Sequence, residues 1–264
     1  MPIYLGILAF IFGLAFGSFI NVCIYRIPRK EVLVLSRSHC PKCGVNIRVF
    51  DNIPLLSFIW LGGKCRNCQA KISWRYPIVE LLTALVFIFS YWHFGWGWEF
   101  ISKTFFLILL IIIFFIDLGH KIIPDVISLP GIGLGLGFSL LVKSITFWQS
   151  MAGFLVGGVL LYLIALLGDF LFKKESMGGG DIKMAAMLGA FLGWEKFLLS
   201  FFVAVLLGAL VGIITIFCSS KVRESRVIPF GPFLALGAFV SIFWSKELIQ
   251  LYIQTQDHIQ SLLP

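Results

Sequence analysis

Long apolar stretches separated by short polar segments run through the chain. Most of them are long enough to cross a bilayer as helices, since about 20 apolar residues in a helix span its hydrocarbon core. The apolar pattern begins almost at the first residue and no basic segment precedes it, so we expect a membrane helix there and not a cleaved signal peptide. The predicted spans are residues 3–25, 77–94, 100–118, 125–142, 150–172, 197–218 and 228–247.

One further apolar segment, residues 182–194, is shorter than the others. As a helix it would be about 20 Å long, which suits a thinned or protein-lined region of the bilayer. We predict it as an eighth membrane helix, and a re-entrant element is the alternative. The expected fold is an all-α polytopic membrane protein of about eight transmembrane helices. Its predicted parts are the first helix (1–25), a polar loop (26–76) and a membrane domain (77–264).

The composition supports this assignment and excludes a soluble domain. Hydrophobic residues make up 59% of the chain and charged residues only 13%, and the mean hydropathy is +0.98. The formal net charge of +8 suggests nucleic-acid binding, but the distribution of the basic residues indicates membrane topology instead. With the 26–76 loop in the cytoplasm, the opposite side keeps few of the 21 lysines and arginines, and both termini face away from the cytoplasm. Those few are Lys103, Lys143, Lys196 and Lys246.

The polar loop contains two Cys-x-x-Cys pairs, Cys40 with Cys43 and Cys65 with Cys68. Two such pairs suit a tetrahedral zinc ion with four thiolate ligands. Because all four positions are then filled, we expect a structural and cytoplasmic zinc site, with His39 as a neighbour and not a ligand. The alternative, two disulfides, requires an oxidising compartment, whereas the charge distribution places this loop in the cytoplasm.

Two aspartates at helix ends are the candidate catalytic residues. Asp117 closes a predicted helix, and Asp181 follows a run of three glycines in the position of an N-cap before an apolar segment. Ionisable groups at membrane depth are costly, so they are candidates for function. The predicted topology places both near the cytoplasmic boundary. Two carboxylates that lie close together can share a proton, which allows general acid–base hydrolysis of a peptide bond.

Other assignments of these acids remain open on the sequence pattern. Asp117 and Asp181 could be separate helix-end residues that pair with His120 and Lys183, and Asp125 could replace Asp117 as the partner of Asp181. Glu80 lies one turn inside the second predicted span, where a carboxylate needs a reason. It either forms an ion pair with a loop cation such as Arg75 or contacts the substrate.

Several motifs, distributed from the first span to the last, resemble the type IV prepilin peptidases, which belong to the GxGD class of aspartic proteases and are also N-methyltransferases. The resemblance implies that Asp117 and Asp181 are the catalytic pair, which decides against Asp125. The matching segments are residues 17–28, the two cysteine pairs with 51–57 between them, 75–80, 116–125, 178–183 and 229–234.

The resemblance also implies two reactions. The first is cleavage of the short basic leader of prepilins or pseudopilins after a glycine, at the cytoplasmic face of the bacterial inner membrane. The second is methylation of the new N-terminus by S-adenosylmethionine. No Rossmann-type glycine motif is present, so by elimination we expect the cofactor near the zinc loop, with Glu80 as a possible contact. The expected substrate contacts are Gly178, Gly179, Gly180, Lys183 and Asp125.

Two functions of other classes compete with the peptidase. A proton-coupled transporter would use paired acids, but it favours acids at the midplane and internal repeats, and we find neither pattern. A pilus or secretion assembly protein would bind pilins without cutting them. The expected partners are prepilins or pseudopilins and membrane lipids, and not nucleic acid.

Overall fold

The computed structural model describes residues 2–33, 38–173, 177–218 and 229–262. Every regular element in these ranges is helical, apart from two isolated antiparallel bridges in the loop between the first two long helices. The helices are α1 (Ile3–Arg26), α2 (Leu56–Trp60), α3 (Arg75–Phe94), α4 (Trp98–His120), α5 (Asp125–Phe138), α6 (Phe147–Phe172), α7 (Gly179–Leu192), α8 (Trp194–Cys218) and α9 (Gly231–Leu262).

Six helices in the described part of the chain are long and apolar enough to cross a membrane: α1, α3, α4, α6, α8 and α9. This confirms a multi-pass, all-helical membrane protein. Helices α5 and α7 have 14 residues each, a length of about 21 Å, so the count of eight spans stays a prediction. The basic residues Arg37, Lys174, Lys221, Arg223 and Arg226, on which the predicted orientation partly depends, lie outside the described residues.

The predicted span 125–142 is too long, because α5 ends at Phe138. Four alternating glycines precede that end, and glycine lowers helix stability by about 1 kcal/mol relative to alanine. The Ser139 hydroxyl then donates to the Leu136 carbonyl at 2.6 Å, and Val142 N donates to the Phe138 carbonyl at 3.0 Å. These bonds close a turn in place of further helix.

The last helix differs from its prediction in the other direction. It covers residues 231–262, beyond the predicted 228–247, and its backbone leaves the helical region at Trp244 (φ −123°, ψ 16°). Residues past 247 are more polar, with glutamines and Asp257, so the apolar pattern ends before the helix does. Apolar periodicity detects the buried or lipid-facing part of a helix and not a polar extension.

Residues 1–127 form one compact unit. In this unit α1 packs on α3 through glycines, and a Cβ added to Gly17 would lie 2.6 Å from the Glu80 Cα. Small residues allow this close approach of membrane helices. The contact places the start of α3, and with it Glu80, against the C-terminal half of α1.

Residues 128–264 form the second unit. Here α6 and α7 also pack backbone to backbone, since a Cβ on Gly153 would overlap the Gly189 carbonyl and one on Gly157 would overlap the Ala185 carbonyl. The Ser150 hydroxyl donates to the Ala190 carbonyl at 2.5 Å. All nine residues from Met184 to Leu192 are buried. Helix α7 is therefore enclosed by protein along most of its length.

Candidate active site and metal centre

The first cysteine pair lies in a tight turn of the loop between α1 and α3. Cys40 N donates to the Val45 carbonyl at 3.0 Å, and Gly44 N donates to the Cys40 carbonyl at 2.9 Å. Gly44 has a φ of +71°, in the left-handed region that glycine adopts without strain. A glycine directly after Cys43 therefore lets the chain reverse and bring both thiols to one side.

The second cysteine pair repeats this turn. Cys65 N donates to the Ala70 carbonyl at 2.9 Å, and Gln69 N donates to the Cys65 carbonyl at 3.0 Å. Gln69, like the glycine of the first turn, has a positive φ, here +58°. Equal spacing thus gives equal backbone geometry, although the second turn uses a residue with a side chain.

The four cysteine sulfurs form one cluster. All of them lie within 4.8 Å of one another, and the Sγ atoms of Cys40 and Cys68, one from each turn, are 3.8 Å apart. Tetrahedral zinc with Zn–S bonds of about 2.3 Å requires sulfur separations of about 3.8 Å. None of the four is in a disulfide. The cluster fits a four-cysteine metal centre and not two disulfides.

Backbone amides favour the thiolate form of two of these cysteines. The N–H groups of Cys68 and Asn67 point at the Cys65 sulfur and lower its pKa to about 7. The Val45 amide, together with the Asn67 side chain, lowers the pKa of Cys43. Since the thiolate is the form that binds a metal ion, the turns prepare these sulfurs for ligation.

An ion pair ties the second turn to the segment between the two turns. The Arg66 guanidinium holds the Asp51 carboxylate with three hydrogen bonds of 2.7 to 3.2 Å. These bonds lower the pKa of Asp51 and raise the pKa of Arg66. The fork-on-fork geometry fixes direction as well as distance, so the segment 49–52 keeps one orientation beside the metal centre.

Glu80 connects this loop to α3. Its side chain is buried, and its Oε2 accepts a hydrogen bond of 2.9 Å from the backbone N–H of Leu55. Leu55 has φ +60° and ψ −50°, and Leu56 N donates to the Pro54 carbonyl at 2.7 Å. These values define a γ-turn of the rare kind with positive φ. Of the two expectations for Glu80, the ion pair with Arg75 is wrong, and its partner is a backbone amide.

Two buried polar residues of α1 hold both ends of the loop. The Asn21 amide donates to the Tyr76 carbonyl at 3.0 Å, where the loop leads into α3. Arg26 is only 4% exposed and donates to the carbonyls of Val32 and Leu33 at 3.1 and 3.0 Å. The loop is therefore anchored to the membrane helices at its start, at its end and, through Glu80, in its middle.

Asp117 lies in the last turn of α4 and is 4% exposed. Its carbonyl accepts a hydrogen bond of 2.9 Å from Lys121 N, and Lys121 ends the helix with a φ of +55°. Asp125 opens α5 and is exposed. The two aspartates of this segment thus differ in environment, and only Asp117 is buried within the helical core.

Asp181 lies in the first turn of α7, and its predicted role as N-cap is wrong. The N-cap is Gly178, whose extended backbone (φ −71°, ψ 142°) allows the helix to begin at Gly179. Asp181 N donates to the Gly178 carbonyl at 3.1 Å, so the glycine carbonyl takes the first helical bond. The aspartate keeps the favourable place for a negative charge at a helix start.

The glycines before Asp181 leave space around it. A Cβ on Gly179 would meet nothing within 4 Å, and one on Gly178 would lie 3.6 Å from the Asp181 Oδ2. Gly178 and Gly179 are exposed, while Gly180, Asp181 and Lys183 are half-buried. The packing of this unit therefore does not require glycine at position 179.

The structure brings together some of the predicted site residues and leaves others apart. It assembles the four cysteines, and it places Glu80 against the loop. Asp117 belongs to the first compact unit and Asp181 to the second, so their pairing stays a prediction. The sequence interpretation missed Leu55 and Arg26. Arg26 lies in the matching segment 17–28 and Leu55 in the matching segment 51–57, but neither segment indicates a hydrogen-bond partner.

Comparison with known proteins shows which family the chain resembles along its length. The family of bacterial peptidase A24 N-terminal domains matches residues 11–94, and the type IV leader peptidase family matches residues 104–213. A protein of Pseudomonas aeruginosa named prepilin leader peptidase/N-methyltransferase is 35% identical, over 96% of this chain and 95% of its own length. Proteins of the same name from Aeromonas hydrophila and Myxococcus xanthus are 36% and 37% identical, over 93% and 84% of this chain and 93% and 67% of their own lengths. No solved structure gives a significant match. The chain belongs to the type IV leader peptidase family.

Proposed function

We propose that this protein is a membrane aspartic endopeptidase that removes the basic leader of type IV prepilins or pseudopilins, and that it then methylates the new N-terminus. The proposal rests on the surroundings of two aspartates, one of which is buried while the other lies beside open space. Asp117 is buried at the end of α4, and Asp181 opens α7 next to the free space over Gly179. Membership of the family and the names of the relatives support the same reaction.

The two aspartates divide the chemistry between them. Asp181, at the positive end of the α7 dipole, is the ionised member and takes a proton from the attacking water. Asp117 holds the shared proton and donates a hydrogen bond to the oxygen of the scissile carbonyl. Water adds to the carbonyl carbon, and the C–N bond of the tetrahedral intermediate then breaks as the leaving amine takes up a proton. The free energy of the transition state falls without any nucleophilic side chain.

The substrate reaches this site as an extended strand. A prepilin has an apolar helix that stays in the membrane and a basic leader at the cytoplasmic face, so its cleavage site stops at the predicted depth of the aspartates. The backbone at Gly178, Gly179 and Gly180 leaves room for this strand. Lys183 and Asp125 are the further expected substrate contacts.

Zinc at the four cysteines has a structural role in this proposal. Cys40, Cys43, Cys65 and Cys68 would supply four thiolates to the ion, which would leave no position for a reactive water. The ion joins the two turns of the loop, and the loop is held to α1 and α3 by Asn21, Arg26 and Glu80. Loss of the ion would therefore release the two turns from each other, while the anchors of the loop and both aspartates would stay in place.

S-adenosylmethionine supplies the methyl group when it is bound. The groove between the loop and the start of α3 does not suit it, because two lysines and no carboxylate line that groove, whereas the cofactor carries a sulfonium cation and ribose hydroxyls. The expected contact of Glu80 with the cofactor stays a prediction. Because its Oε2 accepts the hydrogen bond of the Leu55 amide, Glu80 orients the loop.

We also propose the membrane and the orientation in which the protein lies. The protein lies in the bacterial inner membrane with the zinc loop and both aspartates at the cytoplasmic face and both termini on the other side. Helices α5 and α7 complete eight spans in place of a re-entrant element. The burial of all nine residues from Met184 to Leu192 in α7 supports this, since a helix of about 21 Å spans only where protein surrounds it.

Incubation of the purified full chain with a model prepilin in detergent, followed by intact mass analysis, tests the function. We expect loss of the leader after a glycine and, with S-adenosylmethionine present, an added methyl group on the product. A leader that stays on the substrate, with zinc bound and the protein folded, would instead favour the transporter or the assembly protein.

A further inference from the structure

A groove of about 730 Å³ opens between the zinc loop and the first turns of α3. Its walls are largely apolar and include Phe58 and Ile59 of α2, Trp74, and Ile78 and Leu81 of α3. The rings of Phe58 and Trp74 pack at a centroid distance of 4.9 Å. The volume lies within the range of about 300–1,000 Å³ that is typical of small-molecule sites.

Two lysines face each other at this groove. Lys64 and Lys71 form an antiparallel bridge, and both line the groove. The flanking hydrogen bonds run from Ile72 N to the Gly63 carbonyl and from Cys65 N to the Ala70 carbonyl. The hydrogen bonds across the bridge are thus made by the residues before and after each lysine and not by the lysines themselves. Lys64 and Lys71 therefore form a non-hydrogen-bonded pair, in which the Cα atoms are about 4.5 Å apart and the side chains lie closest. Both ammonium groups therefore leave the same face of the bridge.

Like charges directly opposite each other destabilise a strand pair. An anion bound between the two ammonium groups would offset this repulsion. The residues that line the groove include no aspartate or glutamate. Among the described residues, the ion pair at this end of the loop joins Arg66 to Asp51 and does not involve either lysine. Both lysines are exposed. The two ammonium groups are thus available to one external negative charge.

The apolar part of the groove continues onto a membrane surface. Ile78 and Leu81 are 45% and 41% exposed in the first turns of α3, which is a candidate membrane span. Trp74, just before α3, is 70% exposed, and tryptophan favours the headgroup level of a bilayer. An occupant of the groove can therefore place an apolar chain over α3 and a polar head beside the lysines.

From these observations we propose that the groove is a binding site for one anionic phospholipid. Its phosphate lies between the ammonium groups of Lys64 and Lys71, and one acyl chain lies along Ile78 and Leu81. Phosphatidylglycerol satisfies both requirements, whereas a zwitterionic lipid adds a positive charge beside the lysines. The residues that line the groove include neither aspartate, and the proposal does not depend on the proposed peptidase activity.

A second explanation for the lysine pair is compensation of the metal centre, because zinc with four thiolates carries a net charge of −2. The two explanations differ in which kind of binding the protein keeps when the lysines are replaced. If the lysines serve the metal, their removal weakens zinc binding. If they serve the lipid, zinc binding stays and lipid binding is lost.

Native mass spectrometry of the zinc-loaded full chain, titrated with lipid in detergent, separates these cases. We expect phosphatidylglycerol to bind more tightly than phosphatidylcholine, and Lys64→Gln with Lys71→Gln to weaken phosphatidylglycerol binding about thirtyfold, as expected for two surface lysines. Lys42→Gln is the matched control, since Lys42 is an exposed lysine of the first turn outside the groove. This variant should bind like the wild type.

Four results would overturn the proposal. The first is equal binding of both lipids by the wild type, and the second is equal weakening by Lys42→Gln and by the double substitution. The third is a double variant that loses zinc but keeps phosphatidylglycerol. The fourth concerns inorganic phosphate as a further probe. If millimolar phosphate displaces phosphatidylglycerol completely, the lysines form a simple anion site that does not bind an acyl chain.

Discussion

Glu80 Oε2 accepts a hydrogen bond of 2.9 Å from the backbone N–H of Leu55, across 25 positions of the chain. The bond joins a buried carboxylate of a membrane helix to a γ-turn of the loop, where Leu55 has φ +60°. A turn with this backbone is strained and persists only where its surroundings hold it. Glu80 is thus the residue that holds the loop against α3.

Replacement of Glu80 tests this role. Glu80→Ala leaves the Leu55 amide without its acceptor, which costs about 1–3 kcal/mol locally. We expect amide hydrogen exchange around Leu55 to become about 5- to 150-fold faster. Glu80→Gln keeps an acceptor oxygen and should show a smaller change. Equal exchange in Glu80→Ala and the wild type would contradict the role.

The positive φ values of the two cysteine turns lead to a second prediction. A Cβ on Gly44 would meet nothing within 4 Å, so Gly44→Ala acts through backbone strain alone. We expect about 1 kcal/mol of destabilisation, or about fivefold weaker zinc binding in a chelator competition. Gln69→Ala is the matched control, because Gln69 has the same backbone conformation (φ +58°) and already carries a Cβ. Similar zinc affinities for both variants would show that the strain is relieved elsewhere.

The contact between α6 and α7 predicts strong destabilisation by a small substitution. In Gly153→Ala the new methyl group overlaps the Gly189 carbonyl. That carbonyl is part of the α7 backbone, so it cannot swing away as a flexible side chain could. We expect a loss of about 1–3 kcal/mol or more, seen as a lower unfolding temperature in detergent. Gly133→Ala, where a Cβ meets nothing within 4 Å, should be neutral or stabilising. An equal unfolding temperature for both variants would contradict the close helix contact.

Gly179 distinguishes a substrate contact from a structural one. Its Cβ position is open, so Gly179→Leu should leave the unfolding temperature near that of the wild type. The added side chain occupies the space proposed for the substrate, and we expect cleavage of the model prepilin to fall at least tenfold, mainly through a higher KM. Unchanged cleavage by a folded Gly179→Leu protein would remove Gly179 from the substrate site.

Local spacing made part of the molecule predictable from sequence. Two Cys-x-x-Cys pairs fix the geometry of each turn within six residues, so the cluster follows once the turns meet. Long apolar runs predict membrane helices in the same way, because each helix satisfies its own backbone in the bilayer. The start of α7 was misplaced by three residues, since a glycine carbonyl and not the Asp181 side chain caps the helix.

Contacts between distant segments were not predictable. The bond from Leu55 to Glu80 depends on how the loop folds back on α3, and no spacing rule connects the two positions. The facing of Lys64 and Lys71 is a further example, since it depends on which residues of the second turn form the bridge. The early end of α5 is a third example. Its glycines favour a turn over further helix, and the apolar pattern of the sequence does not reveal this preference.

The proposed cleavage reaction requires that Asp117 and Asp181 act as one catalytic pair. The most direct test is the rate of prepilin cleavage by Asp117→Asn, Asp181→Asn and Asp125→Asn, each at equal zinc content and unfolding temperature. We predict that the first two lose cleavage by at least about 10³-fold, as expected for residues that act as a unit, and that Asp125→Asn, altered at an exposed residue, still cuts. Cleavage by Asp117→Asn together with an inactive Asp125→Asn would contradict the pair and make Asp125 the partner of Asp181.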